Sequence, residues 1–165
     1  MKSIRLLRHL LLPDWFARRV FARGDLAAIG DAIEASEKSH RGELRFVVEA
    51  SMPLAALWRD LTPRARAVDL FSTLRVWDTA ENSGILIYVQ LVERRVEILA
   101  DRGIAARVAQ AEWDAICREM ETSFRHGQWR DGALRAVTRA GALLTQHFPA
   151  GASNPDELPD QPLML

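Results

Sequence analysis

Asp78, Glu81, Asn82 and Ser83 precede one apolar run of this chain, and Asp101, Arg102 and Gly103 follow a second. These are the residues whose types and grouping could do chemistry. Asp78, Glu81 and Asp101 offer carboxylates and Asn82 a carbonyl, the hard oxygen donors of which a calcium ion takes roughly six to eight. Arg75 and Arg102 could instead hold an anion, or neutralise the acids with no ligand at all. The same residues also have a plainer use. Asp78 and Asn82 make turns, and Asp101-Arg102-Gly103 opens a helix with aspartate as its cap. Both readings stay open at the level of sequence.

The chain between the two groups must position them. Gly84-Ile-Leu-Ile-Tyr-Val-Gln-Leu-Val is β-branched and aromatic, Glu93-Arg94 is a short charged turn, and a second apolar run follows. This pattern predicts a β-hairpin over Gly84–Val92 and Arg95–Ala100. Antiparallel strands fold back on each other, so the polar groups at the open end meet in space. Leu44–Ala50 reads as a third strand, joined to the hairpin through a helix that Thr62-Pro63 starts. Such a connection is a right-handed parallel crossover. Ile85 to Val89 is apolar at nearly every position, which calls for helices on both faces of the sheet.

Helical spacing supplies those layers. Asp25 caps a helix running to about Ser39, and Ala67, Leu70, Phe71 and Leu74 line the helix after Pro63. Pro53 opens a short turn with Leu54, Leu57 and Trp58 as its apolar residues. Two helices follow Gly103. One buries Ala109, Trp113, Ile116, Cys117, Met120 and Phe124, the other Ala133, Val137, Ala140, Leu144 and Phe148. The expected fold class is α/β, a small mixed sheet (parallel crossover plus hairpin) flanked by helices.

Two terminal segments flank this domain, which spans 25–150. Residues 1–24 are basic and apolar together: Lys2, Arg5, Arg8, Arg18, Arg19 and Arg23 stand against a single acid, Asp14. Pro13 breaks the run into two short helices. The segment is expected to pack on the domain through Leu10, Trp15 and Phe16, with its arginines reaching outward. The alternative is a basic amphipathic stretch on a membrane surface. Residues 151–165, with Pro155, Pro159 and Pro162 among acids, read as a disordered tail.

Composition sets further limits. The 165 residues fit one domain, and Lys plus Arg balance Asp plus Glu at 22 each, which argues against nucleic acid as a partner. One cysteine allows no internal disulfide, no apolar run is long enough to span a bilayer, and the start is a poor signal peptide. The expected location is cytoplasmic, with membrane association as an extension of it. No metal-binding His or Cys pattern, nucleophile elbow or phosphate loop is present. His9, His40, His126 and His147 are scattered, and Cys117 lies on an apolar stripe as a buried thiol.

The hairpin and its flanks carry a family likeness. Gly84-Ile-Leu-Ile-Tyr-Val, Glu93-Arg94, Val96-Glu97-Ile98 and Ala100-Asp101-Arg102-Gly103-Ile104 resemble the TPM domain. So do Trp113, Phe124-Arg125-x-Gly127, Asp131-Gly132 and His147-Phe148-Pro149. Gly42-Glu43-Leu44-Arg45-Phe46-Val47-Val48-Glu49 and Arg75-Val76-Trp77-Asp78-Thr79 are similar to its short bacterial branch, and the likeness spans roughly Leu6 to Ala150. The resemblance implies an α/β/α sandwich and kinship with a thylakoid lumen protein of photosystem II repair. It also implies calcium binding and acid phosphatase activity as properties attributed to some members, and LemA-type membrane proteins as neighbours of many bacterial ones. The longer branch has Asp-Asn-Gly where this chain has Asn82-Ser83-Gly84, one carboxylate fewer. The expected function is a non-enzymatic interaction module linked to a membrane partner, with a weak divalent-cation site formed by Asp78, Glu81, Asn82 and Asp101. The alternative is a weak acid phosphatase.

Overall fold

The computed structural model describes residues 2–12, 15–152 and 154–165. Strands β1 (Glu43–Glu49), β2 (Gly84–Gln90), β3 (Arg95–Ala100) and β4 (Leu163–Met164) form one sheet in the order β3-β2-β1-β4. β1 and β2 run parallel, from Glu43 opposite Gly84 to Glu49 opposite Gln90. β2 and β3 are the expected antiparallel hairpin, with Ile85 opposite Ala100 and Gln90 opposite Arg95. The helices are α1 (Lys2–Leu11), α2 (Trp15–Val20), α3 (Arg23–Glu37), α4 (Leu54–Trp58), α5 (Pro63–Thr73), α6 (Arg102–Ala105), α7 (Gln110–Arg125) and α8 (Trp129–His147).

Alternation along the two central strands separates the molecule into two cores. Phe46, Val48, Ile85, Ile87 and Val89 pack with Ile29 and Ile33 of α3, Trp113, Ile116 and Met120 of α7, and Val137 and Leu144 of α8. Val47, Leu86 and Tyr88 point the other way, onto Ala67 and Leu70 of α5 and onto Val76. Every residue of β2 is buried because both of its faces are covered. The sandwich of helices, sheet and helices follows from that.

Local signals set several helix starts. Thr62 Oγ1 accepts from the Ala65 N–H at 3.1 Å, as the Thr-Pro start requires. Asp25 works differently from expectation. It is the third residue of α3, and its Oδ2 accepts from the Ala22 N–H at 3.0 Å, closing the helix start from inside. One apolar assignment is also corrected: Ala109, just before α7, is exposed, and Leu54 and Trp58 of α4 are exposed as well.

The N-terminal helices touch the domain through only one of the three residues expected, Phe16. Leu10 and Trp15 are exposed, whereas Ala17 and Phe21 are fully buried and Phe16 packs against the main core. Arg5 and His9, charged and polar, hold α1 in place. Pro13 and Asp14 lie outside the described residues.

The end of the chain is ordered against the sheet rather than disordered. Leu163 and Met164 pair parallel to Val47 and Val48, and Leu158 is buried in the second core. Asn154 Nδ2 donates to the carbonyls of Glu37 and His40, at 2.7 and 2.9 Å. Glu43 Oε2 accepts from the N–H groups of Glu157 and Leu158, and Arg45 Nη1 donates to the carbonyls of Pro159 and Gln161. Proline and acid content read as disorder because these partners lie more than a hundred residues away in sequence. Side chains of β1 satisfy the main-chain groups that a short strand leaves open.

This seat has an electrostatic cost. Burial, with Glu43 and Asp160 nearby, pushes the Glu37 carboxyl up to about 9, although the Leu44 N–H bond opposes it. Burial also raises Glu43 to about 7, against the pull of the Glu157 and Leu158 N–H groups. Both acids therefore favour the folded state most below their ordinary range near 4.5, and that favour is lost as pH climbs toward 7 and 9. Glu37→Gln keeps an acceptor for Leu44 without the buried charge. It should unfold at a higher temperature than wild type above pH 7, with the gap closing near pH 4.5; an unchanged gap across that range would contradict the assignment. In the opposite layer, Ile116→Ala should cost about 2–5 kcal/mol in denaturant unfolding through lost burial and a cavity. A cost under about 0.5 kcal/mol would put Ile116 at the surface.

Candidate functional site

The hairpin brings residues 82–84 and 101–103 together. The Asp101 N–H donates to the Gly84 carbonyl at 2.9 Å, and the Gly103 N–H to the Asn82 carbonyl at 3.1 Å. Two glycines allow this closeness. A Cβ on Gly84 would lie 1.9 Å from the Val76 carbonyl oxygen, and one on Gly103 only 2.5 Å from that of Glu81. Asn82 adopts a left-handed backbone, φ 52°, which a short amide side chain tolerates.

Most polar side chains at this mouth hold the fold. Asp101 Oδ1 accepts from the Arg102 N–H at 2.7 Å and caps α6. Asn82 Oδ1 accepts from Arg102 Nε at 2.9 Å. Arg75 pairs with Asp78, and Glu81 with Arg41, each at 2.5 Å and partly exposed. The carboxylates of Asp78, Glu81 and Asp101 do not converge: among the described residues, the one set of three acids within 4.8 Å of one another is Glu37, Asp156 and Asp160. Two atoms at the mouth remain buried without a hydrogen bond, Asp101 Oδ2 and Ser83 Oγ.

The Glu37, Asp156 and Asp160 set, between the end of α3 and the C-terminal segment, could hold a metal ion. A proton serves there equally well, since Glu37 is raised to about 9 and Asp160 is raised too, first by burial. Glu49, at the end of β1, takes a two-pronged bond from Arg66 and a 2.6 Å bond from the Tyr88 hydroxyl. Burial and that carboxylate push Tyr88 far up, so it stays a donor. Cys117 is half-buried, and burial pushes its thiol up to about 12, too high for a nucleophile.

Two concavities lie at the other end of the sheet. Parallel strands open their crevice beyond their carboxyl ends, and here these are Glu49 and Gln90. A cleft of about 1000 Å³ between α1 and the hairpin turn is lined by Arg5, Arg8, His9, Asp60, Glu93 and Arg94. In it the His9 ring accepts from the Met52 N–H at 3.1 Å and faces Glu93 Oε1 at 3.1 Å. A smaller cleft of about 200 Å³ carries Phe16 and the stacked Phe124 and Trp129 beside Arg95 and Arg125. The polar clusters in the sequence point only to the amino ends of these strands. The parallel crossover was the available signal for the carboxyl ends.

Comparison with known proteins accounts for this architecture. The NMR structure of the BA42 protein from the psychrophilic bacterium Bizionia argentinensis is similar, with a TM-score of 0.77 and 28% identity over 88% of this chain and 95% of that one. The N-terminal domain of a protein from P. gingivalis, also solved by NMR, shares the fold with a TM-score of 0.65. Its identity is 18%, over 85% of this chain and 94% of that one. No curated protein sequence matches this one. The family model of the TPM domain matches residues 17–143, from the end of α2 through most of α8, and the chain belongs to the TPM domain family.

Proposed function

We propose that the chain is a non-enzymatic interaction module that works beside a membrane-linked partner, of the LemA type that its family likeness implies, and that its hairpin mouth is at most a weak cation site. One observation carries the reading: the polar side chains at the mouth are engaged in capping and ion pairing. Asp101 caps α6, Asn82 holds Arg102, Asp78 holds Arg75 and Glu81 holds Arg41. A hydrolytic site needs a nucleophile or activated water with a proton donor aimed at one point. Here Asp78 and Glu81 face separate arginines, and Asp101 accepts a main-chain N–H.

Asp101 Oδ2 and Ser83 Oγ keep a second reading alive. They are unpartnered and buried, and Arg102 follows Asp101 in the chain. A calcium ion placed there would draw one carboxylate, one hydroxyl and main-chain carbonyls, with water filling the rest of its shell. A weak phosphatase would have to use the same atoms.

Calorimetry separates these readings. Calcium should bind no more tightly than about 10⁻⁴ M, the range of weak sites; micromolar binding that Asp101→Asn abolishes would contradict this. Turnover of para-nitrophenyl phosphate should stay at the buffer background and be the same in Asp101→Ala. That variant should instead lose about 0.5–2 kcal/mol of stability with its helix cap. Turnover that collapses with Asp101 would establish the phosphatase.

A further inference from the structure

Helix α1 is turned with its apolar side outward. At roughly 100° per residue, Arg5, His9 and Leu12 fall on one side, and Ile4, Leu7 and Leu11 on the opposite one. The first side meets the domain. The Arg5 guanidinium reaches Glu93 at 2.6 Å, Asp60 at 3.1 Å and the Leu61 carbonyl. His9 is 3% exposed, with the Met52 N–H and Glu93 on its two nitrogens. These bonds fix the roll of the helix, because turning it inward would strip Arg5 and His9 of every partner. The other side is left in solvent: Ile4 is 61% exposed, Leu7 54%, Leu10 59% and Leu11 70%, and Trp15 at the start of α2 is 58% exposed.

Surface helices normally bury their apolar stripe. A contiguous exposed stripe of this kind marks a contact surface. Its surroundings choose the occupant. Arg8, Arg18, Arg19 and Arg23 of the same N-terminal segment are exposed, against one acid in its sequence, although charges balance over the whole chain. A second copy of the chain would set these cations against themselves. An anionic lipid surface matches them: aliphatic side chains enter the acyl boundary, a tryptophan sits at headgroup level and arginines meet phosphate.

We infer that α1 and the start of α2 form an interfacial foot, laying Ile4, Leu7, Leu10, Leu11 and Trp15 into an anionic bilayer surface while Arg5 and His9 hold the foot to the domain. This inference rests on the reading of the chain as a module beside a membrane, and names lipid itself as what its N-terminal face meets.

Flotation of the full chain with protein-free vesicles tests it, since no membrane partner is then present to bridge. Equimolar phosphatidylcholine and phosphatidylglycerol vesicles should carry the wild-type chain, and phosphatidylcholine alone should carry at least tenfold less. The double variant Leu7→Glu, Leu11→Glu should lose vesicle binding at least tenfold with an unchanged unfolding midpoint, because both positions are exposed. Arg18→Glu with Arg19→Glu should weaken binding most at low salt. Val68→Glu, an exposed apolar position on α5, should bind as wild type does. Equal flotation of wild type and the Leu7, Leu11 variant would overturn the inference. So would a concentration-dependent dimer that this variant abolishes while vesicles carry neither protein. A failure here leaves the calcium and phosphomonoester results, which test the module reading at the mouth, unaffected.

Discussion

The parallel ladder between β1 and β2 is the constraint on which the rest of the molecule depends. Its strands lie at the centre of a four-stranded sheet and are buried on both faces. Two parallel neighbours cannot be joined by a tight turn, so the chain must leave the sheet between them, and α4 and α5 occupy that excursion. With one face covered by α5, the other needs its own layer, which α3, α7 and α8 provide. The ladder also gives the sheet two unlike ends. At one, β2 begins and β3 finishes, and the chain packs so tightly that Gly84 and Gly103 have no room for a side chain. At the other, the strands finish beneath α1 and the hairpin turn, where the clefts open.

Polar groups are used differently at these ends. At the tight end they close loops: a cap, a left-handed asparagine and short ion pairs hold the chain where glycine alone allows it to pass. At the open end they attach an element. Arg5 and His9 reach Glu93, a residue of the hairpin turn, and through it tie the N-terminal helix to the central strands. Attachment through the polar side is what leaves an apolar side facing out. Along the free flank of β1 a third arrangement holds the C-terminal segment, where buried acids accept main-chain N–H groups and share protons rather than pair with cations.

The sheet was legible because its signals are local. Ile85 to Val89 could only be a strand buried on both faces, Thr62-Pro63 could only start a helix, and the crossover rule then set the direction of β1 against β2. Apolar spacing placed Trp113, Ile116, Met120, Val137 and Leu144 inside, where they are. Legibility ended where a long-range bond decides. Leu163 and Met164 pair with Val47 and Val48, Glu43 and Arg45 bind the main chain of Glu157, Leu158, Pro159 and Gln161, and no pattern within residues 151–165 reports these bonds. Leu10 and Trp15 look like anchors by hydropathy, yet ion pairs of Arg5 turn the helix that carries Leu10 the other way. At the mouth, sequence placed Asn82 and Asp101 near each other through the hairpin. That Arg75 neutralises Asp78 was one of the options it left open, but it could not reveal that Glu81 turns to Arg41, forty residues away.

On the proposed reading, this domain makes its contacts through the N-terminal face, while the hairpin mouth serves the fold. Hydrogen exchange of the full chain, read amide by amide with and without anionic vesicles, tests it most directly. Slower exchange confined to α1 and α2, with amides at 82–84 and 101–103 unchanged, is the predicted result. Protection at the mouth, with none gained in α1, would contradict the account.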